Sequence, residues 1–152
     1  MTRTHFIILA MAGSAALLIG AIAFQVLGGL PPCKLCIWQR WPHGVAIGLG
    51  VLALANGHRF LPVLGCLVLL AGAGVALYHT GVEFAWWEGP NTCTSGSIDN
   101  LSTEQLLDQI LNAPIVRCDE VLWSLFGLSM AAWNGIISLG IAAFWWIAAR
   151  RT

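Results

Sequence analysis

FIILAMAGSAALLIGAIAFQVLGGL, residues 6–30, is a run of 25 residues without one ionisable side chain. Roughly 20 apolar residues are enough to cross a bilayer as an α-helix, so this run predicts a membrane span. Arg3 in front of it imitates a secretory signal weakly. The length of the run and the lack of a small-residue cleavage site favour its retention as a first helix. The whole chain shares this character. Of 152 residues, 58% are hydrophobic and 9% charged, with a mean hydropathy of +0.79, far from the composition of a water-soluble domain. A formal net charge of zero argues against nucleic acid as a partner.

Three more spans follow. Gly44–Ala55 is too short to cross alone, but extension back through Trp41, Trp38 and Ile37 reaches about 19 residues if Arg40 snorkels or faces the bundle interior. Pro42 then falls in a first turn, where it is tolerated. Leu61–Thr80 forms a third span after the polar turn Asn56, Gly57, His58 and Arg59, and Met130–Ala149 a fourth, closed by Arg150 and Arg151. The expected fold is therefore all-α: a single four-transmembrane-helix bundle over residues 1–152, with spans at 6–30, 37–55, 61–80 and 130–149. Its two loops, at 31–36 and 81–129, share one side.

Orientation follows from basic residues. Arg3, Arg59, Arg150 and Arg151 lie on the side of the termini, against Lys34, Arg40 and Arg117 opposite, which favours cytoplasmic termini. All seven acidic residues fall between Glu83 and Glu120, so the second loop faces water. Within it, Phe84, Trp86 and Trp87 read as interfacial aromatics. Gly89, Pro90 and Asn91 then form a turn. Ser102 and Gln105 have capping-box spacing ahead of Leu106, Leu107, Ile110 and Leu111, and Pro114 stops the pattern. This is a short amphipathic helix, lying on the membrane surface or packed on its own loop.

Cysteine casts an independent vote. Cys33, Cys36, Cys93 and Cys118 all lie in the two loops placed outside, where disulfides persist. Four such cysteines allow three connectivities. Cys66 sits among leucines and valines and reads as a packing residue. Cys33-Lys34-Leu35-Cys36 matters most, because Pro31 and Pro32 end the first helix and put Cys36 at the start of the second. A helix N-terminus there stabilises a thiolate. Arg40 stands one turn further along, a fixed cation suited to a partly reduced quinone as well. Two other readings compete. The four cysteines could bind zinc, although 24 residues separate Cys93 from Cys118 and no chelating histidine is local, so no metal is expected. They could also be inert staples in a tetraspan adaptor.

Cys33-Lys34-Leu35-Cys36-Ile37-Trp38-Gln39-Arg40 resembles the CxLCxxQR signature of the bacterial disulfide bond formation protein B family, DsbB. A second, distant segment is similar as well: Cys118-Asp119-Glu120, then Trp123-Ser124-Leu125-Phe126-Gly127-Leu128-Ser129-Met130 and Trp133-Asn134. With the four-span hydropathy, the likeness covers nearly the whole chain. Ala131 departs from the family's usual proline, which bears on the bend at the start of the fourth helix. A vitamin K epoxide reductase-like enzyme is a rival with four spans and a CxxC, but the residues around Arg40 and Cys118 fit it less well.

The resemblance implies an electron route in the bacterial inner membrane, with the redox loops in the periplasm. A periplasmic DsbA-type dithiol oxidase gives its electrons to the Cys93 and Cys118 pair, which hands them to Cys33 and Cys36, which reduce ubiquinone or menaquinone. By the same transfer Cys93 takes the mixed disulfide with the partner, Cys118 pairs transiently with Cys33, and Cys36 is the quinone-facing thiolate. Arg40 matches the family's quinone-site arginine, and His79 a histidine near the quinone ring.

Overall fold

The computed structural model describes residues 1–90, 102, 104 and 116–151. Cys93 and, apart from Ser102 and Glu104, the short amphipathic helix expected after Ser102 lie outside the described residues. Four long helices account for most of the rest: α1 (Arg3–Val26), α2 (Lys34–Asn56), α3 (Leu61–Glu83) and α4 (Met130–Arg150). Each packs on the next, and α4 closes the ring against α1. Outward-facing side chains such as Ile19, Leu67, Leu77 and Leu139 are exposed and apolar, a surface made for lipid rather than water. By length and composition α1, α3 and α4 can each cross a membrane. α2 is as long as α3, but Lys34, Gln39, Arg40 and His43 dilute its first half.

The ends of the bundle are chemically distinct. At one end the Arg3 guanidinium donates to the carbonyls of Gly57 and His58, at 2.9 and 2.8 Å. Arg151 donates to the Met1 carbonyl at 2.6 Å. Both termini and the α2–α3 turn are thereby tied together. Gly57 takes φ 68° as it ends α2, a left-handed cap that glycine enters without strain. The opposite end carries Cys33 and Cys118.

Below the first end lies a core of small and large residues in register. Trp145 is fully buried there, with Ile7, Ala10, Ala46, Leu69 and Cys66 in the same cluster. Gly65 makes room for it: a Cβ at that position would lie 2.6 Å from the indole ring. Close approach through a small residue is how helices associate where lipid removes the hydrophobic drive. Gly65→Val is expected to lower stability by about 1–3 kcal/mol through overpacking. Thermal melting in detergent would check it, and an unchanged midpoint would mean that the ring is not wedged.

Four features depart from the sequence reading. α1 stops at Val26 rather than running to Leu30, because the chain turns at Gly28 and Gly29, the latter at φ 63°, with the Leu30 amide bonded back to the Phe24 carbonyl at 3.2 Å. α2 begins at Lys34, so Pro42 is inside the helix and not in its first turn. It is accommodated because Gly72 on α3 offers no side chain to meet it. α3 continues past Thr80 to Glu83, bringing a carboxylate into the bundle. Finally, among the described residues the helices are joined by a small hairpin, β1 (Ser124–Leu125) paired antiparallel with β2 (Leu128–Ser129). Phe126 and Gly127, at φ 53° and 77°, form its two-residue turn, the geometry that matches strand twist. The hairpin delivers Ser129 as N-cap of α4, where its hydroxyl accepts from the Ala132 amide at 3.2 Å. That cap starts the helix, so Ala131 serves where proline would otherwise preset the backbone.

Candidate active site

Cys33 is the N-cap of α2. Its sulfur accepts the Cys36 amide at 3.2 Å. The two-residue spacing then puts the sulfurs 2.8 Å apart, with the Cys33 thiol pointing at Cys36. Cys33 is 4% exposed and Cys36 half-buried. The hydrogen bond to Cys36, together with burial, pushes the Cys33 thiol up. Cys118 is buried in the same small cluster as Cys33, with Leu35 and Val82 between helices. Beside it Arg117 grips Asp119 in a two-bond ion pair at 2.9 and 2.5 Å, which holds the Asp119 carboxyl below its usual range. Cys33, Cys36, Cys66 and Cys118 are all free thiols. Cys66 belongs to the Trp145 core and is far from this chemistry in the fold.

His79 is a wall of the site and not only a helix-end group. Its Nε2 lies 3.5 Å from the Cys33 sulfur and 3.9 Å from a Glu83 carboxylate oxygen, and Glu83 also accepts from the Ser129 hydroxyl. The other ring nitrogen accepts from the Gln39 amide at 2.7 Å. An amide nitrogen only donates, so the His79 proton is on Nε2, facing Cys33. From Gln39 the chain runs on. Asn134 donates to the Gln39 oxygen at 2.7 Å, His43 Nε2 donates to the Asn134 oxygen at 3.1 Å, and Ser14 lies 3.4 Å from His43 Nδ1. Gln39, His43 and His79 are buried, so this relay of polar groups is fully paired inside an apolar bundle, as burial demands.

Sequence reading missed Gln39, His43, Glu83 and Asn134 as site residues. The signal was present for three of them, Gln39, His43 and Asn134, since an ionisable or amide side chain within an apolar span is a functional marker. No chelating histidine is local to the cysteines in sequence, but α3 brings His79 to within 3.5 Å of the Cys33 sulfur.

These groups line one end of a cavity of about 430 Å³ between α1, α2 and α4, walled elsewhere by Leu17, Ala21, Phe24, Trp133 and Ile137. That volume and lining suit a ring-sized apolar ligand with a few convergent polar contacts. Arg40 also lines the cavity, its guanidinium donating to the Gln25 side-chain oxygen on α1 at 2.8 Å.

A dithiol at a helix start, opening on an apolar cavity with a cation and a donor histidine, is equipped to pass electrons from thiols to a lipid-soluble ring. Comparison with known proteins agrees. The model of the family described as disulfide bond formation protein DsbB matches residues 3–148. The chain belongs to the DsbB family. Its relatives include proteins named disulfide bond formation protein B from Methylococcus capsulatus, 37% identical over 90% of both chains, and from Saccharophagus degradans, 31% identical over 87% of this chain and 84% of the other. A third, from Stutzerimonas stutzeri, is 28% identical over 94% and 93%. No solved structure gives a significant match. As a DsbB-family protein, the chain is a membrane thiol oxidoreductase of disulfide bond formation, which reoxidises DsbA at the expense of a quinone.

Proposed function

We propose that electrons from a DsbA-type periplasmic dithiol oxidase enter at Cys93 and Cys118, pass to Cys33 and Cys36, and leave to ubiquinone or menaquinone held against Arg40 and His79. The observation that carries this reading is the burial of Cys33 between Cys36, His79 and Cys118 at the head of a ring-sized cavity. A bound quinone would supply the terminal two-electron acceptor. The protein's residues do the rest by exchange. A partner thiolate attacks Cys93 and the Cys118 thiolate departs. Cys118 attacks Cys33, and the Cys33–Cys36 bond breaks with its electron pair on Cys36. The partner's second thiolate then closes its own disulfide, freeing Cys93 to attack Cys118 and release Cys33. The His79 Nε2 proton is placed to stabilise the Cys33 thiolate at that release, and Arg40 to hold a ring oxygen by a charge-assisted bond. No resident metal takes part.

The same reading makes α2 the fourth span. It has the length of α3 and packs between α1 and α3, its outward side chains Trp41, Val45, Val51 and Leu54 are exposed and apolar, and a helix satisfies its own backbone within lipid. The whole of 1–152 is then one membrane domain in the bacterial inner membrane. Its termini are cytoplasmic and its loops at 31–36 and 81–129 periplasmic, as the basic residues favour.

The test is quinone absorbance during incubation of purified protein with a reduced dithiol partner, with each loop cysteine replaced in turn. An inert stapled adaptor would leave the absorbance unchanged. In the same assay Arg40→Ala is expected to raise the quinone concentration for half-maximal rate about tenfold, the worth of one charge-assisted hydrogen bond. Mixed-disulfide formation with the partner should proceed at the parental rate. Unchanged quinone dependence would remove Arg40 from the site.

A further inference from the structure

Cys33 Sγ, Cys36 Sγ and His79 Nε2 all lie within 4.8 Å of one another, and their chemistry is not exhausted by thiol exchange. We infer that in the dithiol state these three atoms form a binding site for a soft divalent cation of the zinc type, and that oxidation of the cysteine pair abolishes it. Thiolates and a neutral imidazole are the preferred donors of such an ion, with Zn–S about 2.3 Å and Zn–N about 2.0–2.1 Å. A tetrahedral arrangement of those bonds separates sulfur from nitrogen by about 3.5 Å and the two sulfurs by about 3.7 Å. Cys33 and His79 already stand 3.5 Å apart. The sulfurs, at 2.8 Å, need to part by about 1 Å, and Cys36, half-buried in the first turn of α2, is free on its cavity side to give way. Glu83, 3.9 Å from the same ring nitrogen, offers a fourth donor.

The surroundings supply what a ligating set needs around it. The Cys36 amide donates to the Cys33 sulfur at 3.2 Å, fixing that sulfur and stabilising its charge. A ligating histidine requires its second nitrogen to be held, and Gln39 holds it at 2.7 Å. As the amides stand, Nε2 carries a proton and must lose it. Half-turns of the Gln39 and Asn134 amides accomplish this without breaking the chain. His79 then donates from Nδ1 to the Gln39 oxygen, Gln39 donates to the Asn134 oxygen, and Asn134 donates to His43 Nε2. His43, with its proton on Nδ1, donates to Ser14. Every hydrogen bond survives with its direction reversed. In balance, one cation enters, the two thiol protons leave to solvent, and both imidazoles remain neutral, so about two protons appear per ion bound. No electrons move. Formation of the Cys33–Cys36 disulfide removes both thiolate donors and leaves one neutral imidazole with the Glu83 carboxylate 3.9 Å away, too few donors to retain the ion. The consequence is a brake: while zinc is held, neither Cys33 nor Cys36 is free to pass electrons on.

The binding claim stands on geometry alone, while the redox gating rests on the proposed role of the Cys33 and Cys36 pair. The test therefore uses the full chain with Cys93→Ser and Cys118→Ser, in metal-free detergent buffer. It is titrated with Zn²⁺, and separately with Co²⁺ as a spectroscopic probe, after reduction and again after oxidation. The expected result is one ion per reduced chain, a thiolate-to-cobalt charge-transfer band with tetrahedral visible bands, and no binding to the oxidised chain. His79→Gln should weaken zinc binding about tenfold or more. Equal binding by both redox states, a cobalt spectrum without thiolate bands, or zinc affinity unmoved by His79→Gln would each overturn the proposal. The redox comparison uses one chain throughout, so it decides even where His79→Gln fails to fold. Failure here leaves quinone reduction in metal-free buffer intact, whereas failure of the electron route would abolish that and leave zinc binding in place.

Discussion

Cys36→Ser is expected to reduce the rate of quinone reduction by reduced partner about a thousandfold or more, the scale on which enzymes lose activity with their single reacting nucleophile. The substitution is nearly isosteric, so the helix start and the cavity are preserved. The Cys33 sulfur still accepts the main-chain amide of residue 36, a bond that does not use the replaced side chain. What disappears is a sulfur able to leave as a thiolate at neutral pH, which a serine oxygen cannot do. The measurement is the loss of quinone absorbance, paired with gel detection of the partner's mixed disulfide at Cys93, which should still form. Cys66→Ala supplies the contrast. Cys66 packs with Leu69 and Trp145 in the core, so its removal should cost some stability and leave turnover alone. Parental turnover in Cys36→Ser would take this sulfur out of the electron route altogether.

Much of the site was legible because its parts are local in sequence. Cys33 and Cys36 are one helical turn apart, and two prolines before them announce the helix boundary that makes Cys33 an N-cap. Three of the four helices were visible as long, predominantly apolar runs. The second had to be assembled around Arg40, for a reason the fold makes clear: Gln39, His43 and Arg40 dilute the hydropathy of α2 because they line the cavity. Polar residues in a span weaken the signal for the span and mark the site at once. Local rules failed where partners are distant. Gln39 meets His79 across 40 residues and Asn134 across 95, and nothing in the sequence of either element specifies that meeting. The hairpin at 124–129 was missed because its strands are two residues each, below any detectable alternation, and only the Phe126–Gly127 turn hints at it. The end of α1 was overrun because Gly28 and Gly29 are as apolar as the helix they terminate.

Asn134→Leu tests whether that distant meeting matters. Asn134 is the hinge of the polar chain, donating to Gln39 and accepting from His43. Leucine has the same branched shape but can do neither, leaving the Gln39 oxygen without its donor and costing the His43 N–H its acceptor at residue 134, with Ser138 at 3.3 Å still near. A buried polar group stripped of its partner costs about 1–3 kcal/mol, so a loss of about 2–5 kcal/mol is expected, enough to lower the melting midpoint in detergent clearly. The more specific consequence is at Cys33. Freed from Asn134, the Gln39 amide can turn over alone, where the intact chain has to reverse as a whole, and His79 is no longer held to the form with its proton on Nε2. The Cys33 thiolate then loses a committed donor 3.5 Å away. In a Cys36→Ser background, alkylation of Cys33 should shift to higher pH in Asn134→Leu, and nitrogen-15 spectra of His79 should change from one tautomer to a mixture. A purely structural role for Asn134 predicts the stability loss without either change. The alkylation profile and the tautomer spectrum therefore separate a packing residue from one that sets the proton facing the redox sulfur.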